Sequence, residues 1–301
     1  MISILIPVYN FDVRPLVNEL LKQVQNSGIA FEMIIIDDCS SPDFQQMNSE
    51  LKEKGGLCYF QLNENIGRSK IRNLLFEKAK FPYLLFMDCD SWPETENYIS
   101  NYIRQAEEDK VVYGGRTYSP MAPEKKSQFL RWHYGINREV IPYHKRQVNP
   151  YRSFMTNNFL IHRNVYEKIK MDETVKGYGH EDSRFAYELS VMEIPVKHID
   201  NPLRHIGLED ADVFLRQTAI GVKNLHRLIQ EKKINSDNKL YSAYRMLKGD
   251  WSRKWFIRWF KRNKISIEKN LLSEHPSLRK FDLFKLGLLL QCEEEMINPE
   301  P

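Results

Sequence analysis

Short apolar runs alternate with longer segments of helical periodicity along the first third of the chain. The runs at residues 2–6, 33–36, 58–62 and 83–87 each predict a strand, and those at 33–36 and 83–87 are typical of a buried strand. Between them, apolar residues recur at helical spacing, which predicts amphipathic helices. Strands that alternate with helices favour a largely parallel sheet with right-handed crossovers, so that the carboxyl ends of the strands share one edge.

The pattern becomes less regular beyond the fourth strand. We predict a polar helix at 94–107 and a strand at 111–115, and strand character returns at 156–161 and 196–200. Residues 116–150 contain four prolines and show poor periodicity, which predicts a long irregular connection. Such a connection is either a lid that closes on substrate or a plain surface excursion, and both interpretations stay open.

The last third of the chain has a helical pattern. Apolar residues at helical spacing predict one long helix at 213–228 and a final helix at 281–290. We therefore interpret residues 1–210 as an α/β domain and residues 211–301 as a helical C-terminal extension.

Residues 239–264 are the most unusual segment of that extension. The segment holds nine Lys or Arg residues against one acid, and its tryptophans follow at four-residue steps. On a helix, the aromatic residues are expected to share one face, with cations on the other side. The aromatic residues are Trp251, Trp255, Trp259, Phe256 and Phe260, and the cations are Lys254, Arg258 and Lys261. The pattern is typical of a helix lying on an anionic membrane, and the alternative is that the aromatic face packs onto the rest of the protein.

Charge and cysteine content exclude several classes of protein. The chain has 301 residues, with 44 Lys and Arg against 40 Asp and Glu, and this net charge of +4 is too balanced to indicate nucleic-acid binding. No apolar run approaches the ~18 residues of a membrane span, and the start lacks a charged leader. The scattered cysteines favour a cytoplasmic protein without a zinc site or disulfides. These cysteines are Cys39, Cys58, Cys89 and Cys292. If the basic helix binds membrane, we expect the protein at the inner face of the cell membrane.

Two of the predicted strands end in pairs of carboxylates. Asp37 and Asp38 follow the second strand, and Asp88 and Asp90 follow the fourth. Ligands bind at this edge in open α/β sheets, and carboxylate oxygens suit Mg²⁺ or Mn²⁺ carrying a diphosphate. The alternative is that these aspartates only cap turns. No Gly-x-Gly-x-x-Gly sequence follows the first strand, so a bound nucleotide would be held by side chains.

Four segments, in this order, resemble the signatures of the family 2 glycosyltransferases. They are Ile-Pro-Val-Tyr-Asn at 6–10, Asp-Asp-Cys-Ser at 37–40, Asn-Ile-Gly-Arg leading to Arg-Asn at 65–73, and Asp-Cys-Asp at 88–90. The resemblance implies a GT-A fold, in which a mostly parallel sheet carries helices on both faces. It also implies that residues 1–115 bind a nucleotide diphosphate-sugar and that residues 151–210 form the acceptor and base half.

The same resemblance implies roles for individual residues. Asp38 would accept a hydrogen bond from a base such as uracil, Tyr9 would stack on that base, and Arg72 would lie near the base and phosphates. Asp88 would lie near the ribose, and Asp90 would hold the metal with help from Asp88. The full donor-binding set is Pro7, Tyr9, Asp37, Asp38, Asn65, Gly67, Arg72 and Asp88. A UDP-sugar is the donor that these assignments favour.

Residues 177–182, Gly-Tyr-Gly-His-Glu-Asp, are similar to the Gly-Trp-Gly-x-Glu-Asp acceptor segment of chondroitin-polymerase-like and galactosyltransferase-like enzymes. The match implies that Asp182 is the general base and that Glu181 orients the acceptor. Adjacent acids raise one another's pKa, which suits a base working near neutral pH. The alternative is that Asp182 only caps a helix. Tyr178 stands where tryptophan is usual, so the aromatic platform is smaller.

A histidine beyond the acid pair completes the metal shell in similar transferases. His205 is the better-placed candidate, and His198 is the fallback. Imidazole and carboxylates together are compatible with Mn²⁺, although a lone histidine is more often a structural residue.

We therefore predict an inverting, metal-dependent glycosyltransferase that moves a sugar to a saccharide or glycolipid acceptor, in surface polysaccharide or glycolipid synthesis. A nucleotidyltransferase is one alternative, but those enzymes usually open with a glycine-rich basic loop, which residues 7–10 do not form. A non-catalytic module that binds membrane surfaces is the other.

Overall fold

The strands of the protein form two sheets. The computed structural model of the protein describes residues 1–235, 237–247 and 249–297. In chain order the strands are β1 (Ile2–Val8), β2 (Phe31–Asp37), β3 (Leu57–Gln61), β4 (Tyr83–Met87), β5 (Ser91–Pro93), β6 (Val111–Tyr113), β7 (Arg116–Thr117), β8 (Asn158–His162), β9 (Val196–His198) and β10 (Leu203–His205). Seven of these strands pair in the order β3-β2-β1-β4-β8-β6-β9. The other three form a small sheet in the order β5-β10-β7.

The four strands predicted from the apolar runs form the parallel part of the large sheet. β1 pairs in parallel with both β2 and β4, and β2 pairs in parallel with β3. Ile4 and Leu5 point to opposite faces of β1, and neither has any exposed surface. The predicted parallel arrangement is therefore confirmed, and the carboxyl ends of β1, β2 and β4 lie at one edge.

The fifth strand of the large sheet runs the other way. β8 pairs antiparallel with β4 and with β6, and β6 then pairs in parallel with β9. Its five residues are all buried, so their apolar pattern is the same as that of a parallel strand. The pattern therefore predicts a strand at this place without fixing its direction.

Helices cover both faces of the large sheet and make up the C-terminal third of the protein. They are α1 (Arg14–Ser27), α2 (Pro42–Asn48), α3 (Arg68–Lys78), α4 (Tyr98–Ile103), α5 (Phe129–Tyr134), α6 (Tyr143–Val148), α7 (Arg163–Ile169), α8 (Glu181–Val191), α9 (Ala211–Gln230), α10 (Lys239–Met246), α11 (Asp250–Leu271) and α12 (Leu278–Ile297). α1 has a proline in its first turn and ends at Gly28, whose φ of 65° is the left-handed conformation that glycine adopts without strain.

Two of the predicted elements are wrong. The helix expected at 94–107 is only the short α4, because the residues before it belong to β5 and the loop that follows. The connection expected at 116–150 contains β7, α5, α6 and a π-helical turn at Gly135–Glu139. These helices are only one or two turns long, and so short a segment gives too few apolar repeats to be recognised.

The chain divides into two compact units. The first contains Met1–Ser119, Val140–Lys176 and Glu181–Gly207, and the second contains Pro120–Glu139, Gly177–His180 and the chain from Leu208 onward. The predicted division into domains at about residue 210 stays a prediction. The last four residues of the predicted C-terminal extension, 298–301, lie outside the described residues.

The second unit has its own core, built mainly by α9, α11 and α12. Phe214, Phe260 and Phe281 are buried there. α12 approaches α11 closely at Gly287, where an added Cβ would lie 2.4 Å from the ring of Phe260. A side chain at this position would force the two helices apart, so the core depends on glycine there.

The basic, tryptophan-rich segment forms two helices, α10 and α11, and the predicted distribution of its side chains is partly wrong. Phe256 and Phe260 are buried in the core of the second unit, whereas Trp251 and Trp255 are exposed. Lys254 and Arg258 are exposed on the same side as these tryptophans, because steps of three or four residues return to one face of a helix. Among the described helices, none is long and apolar enough to cross a membrane.

Candidate functional site

The carboxyl end of β2 forms a turn held by its two aspartates. Asp37 is buried and accepts hydrogen bonds from the Ser40 amide at 2.7 Å and the Tyr59 hydroxyl at 3.4 Å. Asp38 accepts hydrogen bonds from the amides of Ile66 at 2.7 Å and Gly67 at 3.0 Å. Burial raises the pKa of Asp38, although the two amides act in the opposite direction. Both aspartates therefore shape the loops at this edge of the sheet.

The same edge carries the other predicted donor-binding residues. Asn65 donates a hydrogen bond to the Asp38 carbonyl at 3.0 Å, and Gly67, with φ of 84°, precedes the first residue of α3. Tyr9 follows β1 and is 55% exposed, so a face of its ring is open for stacking. Pro7 lies within β1 and is partly buried.

Arg72 and Asp88 form an ion pair that joins α3 to the end of β4. The Arg72 Nη2 atom lies 2.6 Å from Asp88 Oδ1, and the side chains are 2% and 18% exposed. Arg72 also donates a hydrogen bond to the Arg68 carbonyl at 3.1 Å. A guanidinium this deeply buried needs a carboxylate that compensates its charge. Asp88 therefore stabilises the fold by pairing with Arg72.

Asp90 lies beside His205, as the resemblance implies for a metal site. The Asp90 Oδ2 atom is 3.4 Å from His205 Nδ1, and Arg116 Nη2 is 2.5 Å from the same ring nitrogen. Burial acts to raise the pKa of Asp90, but the His205 ring and the guanidinium groups of Arg116 and Arg68 outweigh it and hold this pKa well below its ordinary value. The carboxylate is therefore charged at neutral pH.

The backbone after β10 closes one side of Asp90. The Ile206 amide donates a hydrogen bond to the Asp90 carbonyl at 2.9 Å. At Gly207, an added Cβ would lie 2.7 Å from the Asp90 Cβ atom. Only glycine allows this approach, so residue 207 sets the room available to the carboxylate.

The residues at this edge suit a divalent cation only in part. Asp90 Oδ1 is buried and accepts no hydrogen bond from the residues that the structure describes. A charged oxygen of this kind beside an imidazole is a donor set that Mn²⁺ accepts. Asp88 pairs with Arg72 in this structure, and within the described ranges no three His, Cys, Asp or Glu side chains form a group that would hold a metal. The three-residue metal set stays a prediction.

His198 is held by other parts of the first unit. Its Nδ1 atom accepts a hydrogen bond from Arg146 Nε at 3.1 Å, and its Nε2 atom lies 3.0 Å from the Pro150 carbonyl oxygen. Burial lowers the pKa of His198 to about 4, so the ring is neutral. Both ring nitrogens are engaged, and His205 is therefore the histidine that we retain as the candidate ligand.

Asp182 lies in the first turn of α8 and is held by Thr156. Its Oδ1 atom accepts hydrogen bonds from the Thr156 hydroxyl and from the Thr156 amide, the latter at 3.0 Å. Burial and the charge of Glu181 raise the pKa of Asp182 to about 6, against the effect of the Thr156 hydrogen bonds. A carboxylate with this pKa is mostly ionised at neutral pH and takes up a proton more readily than an exposed one.

Glu181 is the first residue of α8 and is almost fully buried. Its Oε1 atom lies 3.2 Å from Arg68 Nη1, and its side chain is 6% exposed. Its Oε2 atom is also buried and accepts no hydrogen bond in the described part of the chain. One oxygen of Glu181 is thus free to accept a hydrogen bond from a ligand.

The loop that precedes the acid pair is fixed within the second unit by α9. An added Cβ at Gly179, whose φ is 91°, would lie 3.0 Å from the Gly221 Cα atom. Asn224 donates hydrogen bonds to the carbonyls of Tyr178 and Gly179, each at 3.2 Å. Within the second unit, α9 therefore helps to shape residues 177–180 of the predicted acceptor segment.

We expect Gly179→Ala to lower the free energy of unfolding by about 1–3 kcal/mol, because the new methyl group meets Gly221 and the left-handed backbone becomes strained. Urea denaturation measures this loss. The matched control is Gly55→Ala, where an added Cβ meets nothing within 4 Å. Equal effects of the two substitutions would contradict the packing described.

Several residues of this site were not predicted from the sequence. Thr156, Arg116 and Asn224 have no motif of their own, and their roles follow only from contacts with residues distant in the chain. Arg68 lies within the segment that resembles family 2 enzymes, but spacing alone does not pair it with Glu181.

Comparison with known proteins shows to which family the chain belongs. The family model described as glycosyl transferase family 2 matches residues 3–170. The glycosyltransferase GlyA of Streptococcus pneumoniae is 24% identical over 263 residues, which are 86% of this chain and 32% of GlyA. A match to TarS of Staphylococcus aureus, a poly(ribitol-phosphate) beta-N-acetylglucosaminyltransferase, is 32% identical over 97 residues, 31% of this chain and 17% of TarS. The chain thus spans a third or less of the length of these relatives.

Solved structures show the same architecture. The mannosyltransferase PcManGT of Pyrobaculum calidifontis, determined with GDP-Man and Mn²⁺, has a TM-score of 0.60 at 14% identity, covering 99% of this chain and 88% of that one. The crystal structure of residues 1–349 of TarS has a TM-score of 0.52 at 18% identity, covering 99% and 92%. At this level of identity the likeness concerns the fold, and the predicted GT-A-type α/β fold with a helical C-terminal part is confirmed.

Proposed function

The chain belongs to glycosyl transferase family 2, and on that basis we propose that it transfers a sugar from a nucleotide diphosphate-sugar to an acceptor hydroxyl. The observation that carries the proposal is Asp182, a carboxylate whose pKa burial and Glu181 raise to about 6, as a general base requires. Glu181 beside it is paired with Arg68, and Arg68 follows the loop that Asp38 holds at the sheet edge. The base and the donor edge thereby belong to one connected site.

In the mechanism that we propose, Asp182 accepts the proton of the acceptor hydroxyl while that oxygen attacks the anomeric carbon. The bond from the anomeric carbon to the diphosphate oxygen breaks on the opposite face, and its electron pair leaves with the nucleotide. Configuration therefore inverts in one step, without a covalent intermediate. Glu181 accepts a hydrogen bond from the acceptor and orients it.

Asp90 and His205 are the residues that we propose to hold a divalent cation, Mn²⁺ or Mg²⁺. A bound cation of this kind neutralises charge on a departing diphosphate. Asp88 contributes indirectly, because it holds Arg72 at the same edge. Tyr9 and Asp38 are proposed to contact the base, with uracil as the expected base.

We propose surface polysaccharide or glycolipid synthesis, on the cytoplasmic side of the membrane, as the setting. The name of TarS specifies transfer of N-acetylglucosamine to poly(ribitol-phosphate), which supports a polymeric acceptor. GlyA is named only as a glycosyltransferase, so it supports the reaction class and not a particular acceptor.

The test is nucleotide release from a panel of UDP-, GDP- and dTDP-sugars, with and without Mn²⁺, by the full chain and by Asp90→Ala. We expect one donor to be turned over in a metal-dependent way, and the substitution to abolish that turnover. If no donor is bound or hydrolysed with or without Mn²⁺, the transferase proposal fails for this chain.

We also propose that α11 rests on an anionic membrane through what we call its Trp/cation face. On this face, Trp251 is 80% exposed and Trp255 is 57% exposed. The face consists of Trp251, Lys254, Trp255, Arg258, Arg262 and Ile265, which recur at steps of three and four residues and are all exposed. Tryptophans enter the headgroup region while the cations contact anionic lipid, which is how interfacial helices bind.

We expect the full chain to co-sediment with vesicles containing phosphatidylserine and not with vesicles of phosphatidylcholine alone. Replacing Trp251 and Trp255 by Ser and Lys254 and Arg258 by Gln is expected to weaken this binding at least about tenfold, because each cation contributes about 1 kcal/mol near the surface. Tyr143→Ser, at an aromatic residue that is 46% exposed elsewhere, is the control. Unchanged binding by the fourfold variant would refute the proposed face.

A further inference from the structure

Arg68 stands between the two halves of the proposed active site. It is the first residue of α3 and follows Gly67, whose amide donates a hydrogen bond to Asp38. Its backbone therefore belongs to the donor edge, whereas its Nη1 atom lies 3.2 Å from Oε1 of Glu181 in the acceptor segment. The Arg68 side chain is 44% exposed, so it can leave this position without disturbing a core.

One cation therefore joins the two parts of the proposed site. Its main chain lies at the donor edge, where the diphosphate is proposed to bind, and its side chain contacts Glu181, where the acceptor is proposed to bind. Arg68 is outside the donor-binding and metal residues assigned above.

Glu181 needs a cation when the site is empty. Its side chain is 6% exposed, and a buried carboxylate without a partner is unstable. The arginine fork suits a diphosphate better than a single carboxylate oxygen, because it makes parallel charge-assisted hydrogen bonds to several phosphate oxygens. A bound donor would thus compete with Glu181 for the same guanidinium.

We propose that Arg68 is a donor-responsive positioning residue, which pairs with Glu181 in the empty protein and turns to the diphosphate when the donor binds. The proposal rests on the proposed function, since it takes the donor to be a nucleotide diphosphate-sugar bound near Asp90. Its consequence is that the Oε1 atom of Glu181, which pairs with Arg68 in the empty protein, becomes available to the acceptor only after the donor has arrived. The ion pair also reduces the apparent affinity for the donor, because part of the binding energy is used to separate it.

The competition predicts opposite effects of two substitutions on nucleotide binding. Arg68→Gln is expected to weaken UDP binding by about tenfold to a hundredfold, which corresponds to the loss of one charge-assisted hydrogen bond, and to leave uridine binding unchanged. Glu181→Gln, in the acceptor segment, is expected to strengthen UDP binding by about threefold to tenfold, because the neutral amide no longer competes with the diphosphate for the Arg68 guanidinium. Titration calorimetry on the full chain in the presence of Mn²⁺ measures both effects.

Three further variants separate this role from a structural one. Arg68→Lys keeps the charge and is expected to recover part of the UDP affinity, and the double variant Arg68→Gln, Glu181→Gln is expected to match Arg68→Gln alone. Arg14→Gln removes an arginine of similar exposure that pairs with Asp12 and Glu50, and it is expected to leave UDP affinity unchanged.

The outcomes separate this inference from the function on which it rests. UDP binding that Glu181→Gln leaves unchanged or weakens overturns the competition, even if Arg68→Gln weakens it too. UDP binding that Arg68→Gln leaves unchanged overturns the role of Arg68. A protein that binds none of UDP, GDP and dTDP overturns the proposed function itself and this inference with it. If GDP or dTDP binds in place of UDP, the same variants are measured with that nucleotide and its nucleoside.

Discussion

Asp182→Asn is expected to lower kcat for sugar transfer by about 10²–10⁴-fold, while changing the affinity for the donor nucleotide by a factor of about two at most. The amide has the same shape and can still accept the Thr156 hydrogen bonds, but it cannot take up the proton of the acceptor hydroxyl. The measurement is steady-state transfer with the donor found in the nucleotide panel, together with calorimetry of that nucleotide. A variant that retains more than about a tenth of the rate would show that another group is the base.

The pH dependence of transfer gives an independent check on the same residue. Burial and Glu181 raise the pKa of Asp182 to about 6, and the ionised form is the active one, so kcat/KM is expected to fall as the pH drops through about 6. Thr156→Val removes the hydroxyl hydrogen bond that favours the charged form and keeps the one from the amide, so this decline should move to higher pH. Glu181→Gln removes the neighbouring negative charge, so the decline should move to lower pH. Shifts of the same sign in both variants would contradict the assignment.

Asp88→Ala is expected to lower the free energy of unfolding by about 3–5 kcal/mol, which is typical when one partner of a buried ion pair is removed. The reason is Arg72, which is 2% exposed and would keep its charge without the carboxylate that now lies 2.6 Å away. Chemical denaturation measures the loss. Asp12→Ala breaks a partly exposed pair with Arg14 and is expected to cost far less.

A second variant distinguishes charge compensation from a general effect of shortening the side chain. The double variant Arg72→Met, Asp88→Ala lacks both charges of the buried ion pair. Much of the stability lost in Asp88→Ala is therefore expected to return. A loss of stability in Asp88→Ala below about 1 kcal/mol would show that Arg72 has other compensation.

The α/β architecture could be predicted from the sequence because the strands of its parallel part are short, largely apolar runs that end in polar turns. Residues 33–36 and 83–87 illustrate this, since both runs are buried and end in aspartates at the common edge. The direction of β8 could not be obtained in this way, because a strand buried on both faces has the same composition in either direction. The small sheet was also missed, since β7 has two residues and β10 has three, too few for a period to be seen.

The site shows the same limit. Motif residues such as Asp90 and Asp182 were placed from local sequence, and the resemblance also indicated His205 beside Asp90. The contact of Asp182 with Thr156 could not be obtained in this way, because Thr156 is distant in the chain and belongs to no motif. The assignment of cations to the far side of α11 failed for a related reason. Residues 254 and 258 return to the side of Trp251 within one and two turns, while the burial of Phe256 depends on a core that forms only when α9 and α12 are present.

The backbone that surrounds Asp90 has a consequence for the entropy of ligand binding. A side chain on an open loop loses rotamer freedom when a ligand fixes it, and this loss weakens the interaction. At Asp90, the Ile206 amide holds the main chain and Gly207 lies close to the Cβ atom, so the side chain has less room than one on an open loop. A ligand bound by this carboxylate would therefore cost less rotamer entropy, and we expect a larger residue at position 207 to reorient the carboxylate.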